Sequence, residues 1–125
     1  VKAFIPAWER HQKLLKSAAV SITIGTLGVA RQFIVTPSVR HHILFGNGAS
    51  GGGHKYGHGG GKSEFPQNWS DDEIIDRVES VANDPLSTSV SGRHGRVIMI
   101  GLRNLVSISV VVDRSLNFVY TGFPT

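Results

Sequence analysis

The chain has 125 residues, no Cys, 40% hydrophobic and 18% charged residues, and a formal net charge of +4. That length builds one sizeable core rather than two, and the lack of Cys excludes disulfide scaffolds, Cys-ligated zinc, iron–sulfur centres and thiol catalysis. The composition is globular, the charge permits an anionic partner, and the longest weakly polar stretch, Ala18 to Ala30, falls short of the ~20 apolar residues of a membrane span.

Pro6 followed by Trp8, Leu14, Leu15, Ala18 and Ala19 predicts a first helix from about residue 7 to 20. Ser21 to Val35, broken by Gly25 and Gly28, reads as a second helix or as strands. Thr36-Pro37-Ser38 reads as a turn or an extended connection, and Val39 to Phe45 as a short extended segment. Next comes a run with nine glycines in the sixteen residues from Gly46 to Gly61. Ordering such a run costs more backbone entropy than any other composition, so it is a tether or a loop whose backbone must approach something closely.

A capped helix follows near residues 71–82. Ser70 stands three residues before Glu73, Asp71 and Asp72 fill the first turn, and Ile74, Val78 and Val81 form one stripe until Asn83-Asp84-Pro85 ends it. The rest reads as an antiparallel unit. Arg96 to Leu102 and Leu105 to Val112 are joined around Arg103-Asn104, and Asp113-Arg114-Ser115 turns into Leu116 to Thr121. Val106, Ile108 and Val110 alternate with Ser107, Ser109 and Val111. N-terminal helices followed by a twisted antiparallel sheet make an α+β class. Charge is uneven along the chain: residues 1–42 carry six Lys or Arg against Glu9 alone, and residues 67–90 carry six acids against Arg77.

Four of the six histidines, His41, His42, His54 and His58, border or interrupt the glycine run, which also holds Lys55 and Lys62. A solvated loop with incidental His, or adventitious chelation of nickel or zinc, are the plain readings. No His-Glu-x-x-His pattern points to a built metal site, and no metal or other cofactor is expected. Gly61-Lys62-Ser63 echoes the end of a nucleotide-binding phosphate loop, but Phe65-Pro66 follows at once where that loop needs a helix. What remains is acid–base chemistry. One imidazole accepts a proton from a nucleophile, the other gives one to a leaving group, a Lys steadies charge at phosphorus, and loop N–H groups cradle the anion.

His42-Ile43-Leu44-Phe45-Gly46, Gly51-Gly52-Gly53-His54 and Gly61-Lys62-Ser63-Glu64-Phe65-Pro66 stand in order, followed by Gly101-Leu102-Arg103 and Thr121-Gly122-Phe123-Pro124. That set resembles the bacterial branch of the EndoU endoribonuclease family over about residues 39–125. The resemblance implies a ribonuclease A-like fold and metal-independent RNA cleavage to a 2′,3′-cyclic phosphate and a 5′-hydroxyl. It splits the chain into an N-terminal helical segment, 1–38, and a ribonuclease domain, 39–125.

By that resemblance His42, His54, Lys62 and Thr121 are the catalytic set, with Gly53 and Phe123 as substrate contacts; Arg96 and Arg103 read either as contacts to RNA phosphates or as ordinary charged strand ends. Adjacent strand residues point to opposite faces, so only one of His41 and His42 aims into the cleft; the resemblance picks His42, and His58 is the stand-in should His54 be out of register. The family places Tyr where this chain has Phe123, which lacks the phenolic hydroxyl. Tyr120 or Tyr56 substitutes, or Phe123 stacks on a base. The family also has Gly at the hairpin position of Leu105.

The resemblance further implies the toxic tip of a large secreted or cell-surface bacterial protein of the contact-dependent inhibition kind. Such a tip acts in the cytoplasm of the target cell, on RNA (tRNA among the candidates), and is neutralised by a cognate immunity protein. A chain opening at Val1, with neither Met nor a signal pattern, reads as a piece of such a protein. No membrane contact is expected, and no oligomer is predicted. The alternatives are a catalytically inactive RNA- or protein-binding module on the same scaffold, or a hydrolase of small metabolites.

Overall fold

The computed structural model describes residues 31–48 and 51–125, so the helix expected over 7–20 lies outside the described residues. The first described helix is α1, Pro37–Phe45, where an extended segment was expected. Thr36 caps it, its hydroxyl accepting from the Val39 N–H at 3.3 Å, and Pro37 stands at the position where a missing N–H costs nothing. Val39, Ile43 and Leu44 share the buried side. Gly46, at φ +79°, ends it, donating its N–H back to the carbonyls of His41 and His42. The Thr-Pro pair that reads as a turn is thus a helix start. The change of element matters for the site, because successive helix residues diverge by about 100° rather than pointing to opposite faces.

The second helix, α2, spans Asp71–Asn83 as the capping pattern predicts. Ser70 and Glu73 exchange both hydrogen bonds of the capping box, at 2.9 and 3.1 Å. Ile74, Ile75, Val78, Val81 and Ala82 are buried. The sheet is an antiparallel meander in chain order: β1 Thr88–Ser91, β2 Val97–Arg103, β3 Val106–Asp113 and β4 Phe118–Pro124. β1 carries no apolar alternation and is exposed along its length, so periodicity misses it. β4 starts two residues later than expected because Asp113 accepts from the N–H groups of both Ser115 and Leu116, holding residues 113–117 in a turn.

Register assigns the two faces of the sheet. Met99, Val110 and Gly122 lie in one row, and Gly122 meets α2 so closely that a Cβ there would stand 2.8 Å from a Val78 methyl. Ile108, Val110 and Val112 share this face and are fully buried. Ile100, Ser109 and Phe123 form the next row, on the face turned away from α2. Between Val111 and Val112 the pairing slips by one residue, so Tyr120 is the extra residue of a bulge in β4. The bulge restores Gly122 to the helix side while keeping Thr121 in the same face as Phe123. Phe33 and Val35 belong to the same core, and the compact unit runs from Phe33 to Thr125.

Candidate active site

A helix leaves its last carbonyls without partners. Here a loop supplies them. The N–H groups of Gly53, His54 and Lys55 donate to the carbonyls of His42, Ile43 and Leu44 at 3.0, 2.8 and 3.2 Å. The strand of loop carrying His54 is therefore laid along the end of the helix carrying His42. Phe65, completely buried and stacked on Trp69 at 5.9 Å, anchors the far side of the loop, its N–H donating to the His54 carbonyl at 2.8 Å.

Two glycines let the imidazoles settle on this backbone. A Cβ on Gly52 would lie 2.1 Å from the His42 carbonyl oxygen and 2.9 Å from its ring Cε1, and one on Gly53 would lie 2.6 Å from His58 Cδ2. Both residues also hold φ near +80°, where side chains are strained. This is the close approach that the glycine run implies.

His54 is 9% exposed and, with Ser109, one of two buried polar side chains among the described residues. Its Nδ1 lies 2.7 Å from the Ser63 carbonyl oxygen. A carbonyl only accepts, so Nδ1 carries the proton of the neutral ring and Nε2 keeps a lone pair. Burial holds the His54 pKa below the ordinary imidazole value; the Ser63 bond works against this, and the charges of Lys62, His42 and His58 add to the lowering. Those same charges place the four groups in one electrostatic cluster. Lys62 donates to the Gly52 carbonyl at 3.1 Å, and His42 Nδ1 pairs with Asn47 Oδ1.

The sheet meets the loop at Phe123, whose ring lies 5.7 Å from that of His54. Thr121 shares that open face, next to the bulge. The sequence-predicted residues His42, His54, Lys62, Phe123 and Thr121 thus come to one side of the sheet. Arg96 stands at the far end of this face, its guanidinium 3.6 Å over the Tyr120 ring, which in turn meets Phe118 edge-on at 4.8 Å. Arg103 goes elsewhere. It alternates with Met99 and Gly101 on the helix-covered face, donating to the Ser80 hydroxyl at 2.8 Å, the Ser80 carbonyl at 3.1 Å and Asp84 at 3.0 Å. Gly53 shapes the loop, its N–H committed to α1.

Sequence reasoning missed Ser63 and Asn47 as partners of the two imidazoles. The Ser63 contact that fixes the tautomer is its main-chain carbonyl, which no sequence pattern marks, with its hydroxyl 3.4 Å from the same Nδ1. His41 turns out of the cluster onto Phe45, at 5.2 Å. Among the described residues no group of three or more His, Asp or Glu is arranged to hold a metal ion, and no helix is long and apolar enough to cross a membrane.

An unprotonated imidazole, a second imidazole and an ammonium group over one aromatic-floored face suit proton transfer at a phosphodiester. Comparison with known proteins agrees in kind: the chain matches the family model for bacterial EndoU nuclease over residues 47–125. Searches of curated proteins and of solved structures gave no match. The matched region contains His54, Lys62, Thr121 and Phe123, and begins five residues after His42. With its α+β fold and a His–Lys cluster facing the last strand, the chain belongs to the bacterial EndoU nucleases.

Proposed function

We propose that this nuclease is a metal-independent endoribonuclease that cuts RNA through its own 2′-hydroxyl. The observation that carries the reading is the His54 tautomer. With Nδ1 committed to Ser63 and the pKa lowered, Nε2 is a free acceptor at neutral pH. It takes the proton of the ribose 2′-hydroxyl as that oxygen attacks the adjacent phosphorus. The 5′-oxygen leaves with a proton from His42, and the products are a 2′,3′-cyclic phosphate and a 5′-hydroxyl. Lys62 steadies the non-bridging oxygens as charge builds, Thr121 offers them a hydroxyl, and Phe123 offers a base its ring face. The N–H groups of Gly53, His54 and Lys55 take no part, being bonded to α1.

The biological reading that fits such an activity is a toxin domain of a larger secreted bacterial protein, held in check in its producer by an acidic immunity protein. The test of the chemistry is a fluorescent RNA oligonucleotide incubated with the protein in EDTA. Cleavage in chelator, with fragments ending in cyclic phosphate, is the expected result. Cleavage that starts only on adding manganese overturns the metal-free mechanism, and RNA bound but left whole in both conditions favours a binding module.

A further inference from the structure

Phe45 closes α1 and is 39% exposed, and nothing in the proton-transfer scheme uses it. Its setting is not that of a stray surface aromatic. His41, one helical turn earlier, holds its ring 5.2 Å away at a tilt of 55°. His58 stands 6.5 Å away at 57°. The Lys55 ammonium lies 5.7 Å from the ring centroid and is fixed by Asp71 at 2.6 Å. Neither imidazole stacks flat; the Lys55 ammonium stands over the ring, and Phe45 keeps 39% of its surface exposed to a planar partner among this collar of nitrogen groups.

The collar also adjoins the cleavage cluster. His58 packs on Gly53, the residue before His54, and the Phe45 carbonyl lies 3.2 Å from where a Gly53 Cβ would be. An apolar plate ringed by donors and an ammonium matches a nucleotide, with its base on the plate and its phosphate at the rim. A protein partner's anchor would instead favour a patch depleted of charge at its centre.

We propose that Phe45, with His41, Lys55 and His58, forms a stacking subsite for a nucleotide flanking the scissile bond. The assignment of a flanking position rests on the RNA-cleavage reading above; the stacking itself does not. Two variants and two substrates test it: Phe45→Ala and Phe45→Trp, with a dinucleotide that spans only the scissile bond and a hexanucleotide. Phe45→Ala should raise KM for the hexanucleotide about tenfold, the usual worth of one stacked base, with kcat unchanged and the dinucleotide unaffected. Phe45→Trp should keep the hexanucleotide KM, and its added emission should be quenched by an uncleavable 2′-O-methyl hexanucleotide.

An unchanged KM for folded Phe45→Ala, or unquenched Phe45→Trp at saturation, overturns the subsite and leaves the ring to a protein partner. Should Phe45→Ala fail to fold, the quenching alone decides. Should the wild type cleave neither RNA, saturable quenching keeps the subsite while the cleavage reading falls.

Discussion

His54 and His42 reach one cluster from different elements, and their environments differ. His54 is buried against Phe123 with Nδ1 committed to Ser63, whereas His42 is half-buried beside Asn47. That asymmetry favours His54 as the base. Folded His54→Ala and His42→Ala should each lose roughly 10²–10⁴-fold in kcat, the value of a positioned proton acceptor or donor, while His41→Ala, outside the proton-transfer pair, keeps a near-wild-type kcat. Because the His54 pKa is lowered, the acid limb of kcat/KM should fall below the ordinary imidazole value of ~6.5.

The same shift bears on stability. The folded His54 binds its proton less readily than the unfolded chain does, so its contribution is complete above the unfolded pKa and is lost as pH falls through the folded one. Urea midpoints at pH 7.5 and 5 should therefore diverge in the wild type, and less so in His54→Gln.

At the scale of elements, Arg103 decides between two roles. Its bonds to Ser80 and Asp84 tie the end of β2 to the end of α2, on the face away from Phe123. Arg103→Ala should lower stability by about 1–3 kcal/mol, as breaking a partly buried charged hydrogen bond does, and leave KM for RNA unchanged once folded protein is compared. A raised KM would make Arg103 a substrate contact instead.

The β2–β3 turn carries strain. Asn104 and Leu105 both hold positive φ, 50° and 67°, and Leu105 is 90% exposed, so its side chain gains nothing from burial. Left-handed backbone costs a non-glycine residue ~1–2 kcal/mol. Leu105→Gly should raise the melting temperature despite the added freedom of the unfolded chain, and a lower value would show that Leu105 earns its place by contacts.

These elements also show how far pattern reaches. The capping box around Ser70 and the alternation of β3 are local, and both elements stand where the sequence puts them. α1 and β1 are not local in that sense. Val39 to Phe45 offers too few apolar positions to show a helical period, and β1 is held by pairing with β2 rather than by any stripe of its own. At the site, side-chain types were readable and backbone partners were not, which is why His42 and His54 stood out and the Ser63 carbonyl did not.

For the whole molecule, charge is the informative quantity. Five of the six acids in the run that stands out in the sequence lie beside a base within the fold: Asp71 by Lys55, Asp72 by Arg40, Glu73 and Asp76 by Arg77, and Asp84 by Arg103, while Glu79 accepts from the Val35 N–H. RNA affinity should accordingly weaken with salt, and Lys62→Ala should flatten the dependence of log K on log salt by ~0.7, the value of one single-strand phosphate contact. An unchanged slope would remove Lys62 from the phosphate. On the toxin reading, bacteria expressing the wild type in the cytoplasm should stop growing unless an acidic partner is co-expressed. Healthy growth with abundant, RNA-cleaving protein would contradict that reading.

The loop that finishes α1 by donating its N–H groups to that helix has a consequence for motion. Opening the loop strips the helix end of its partners, and fraying the helix end frees the loop, so neither event is local. Both imidazoles then belong to a single cooperative opening unit. The amides of Gly53, His54 and Lys55 should exchange with deuterium together, at one rate, and a substitution that loosens any of the three should speed all of them while leaving the amides of β3 untouched.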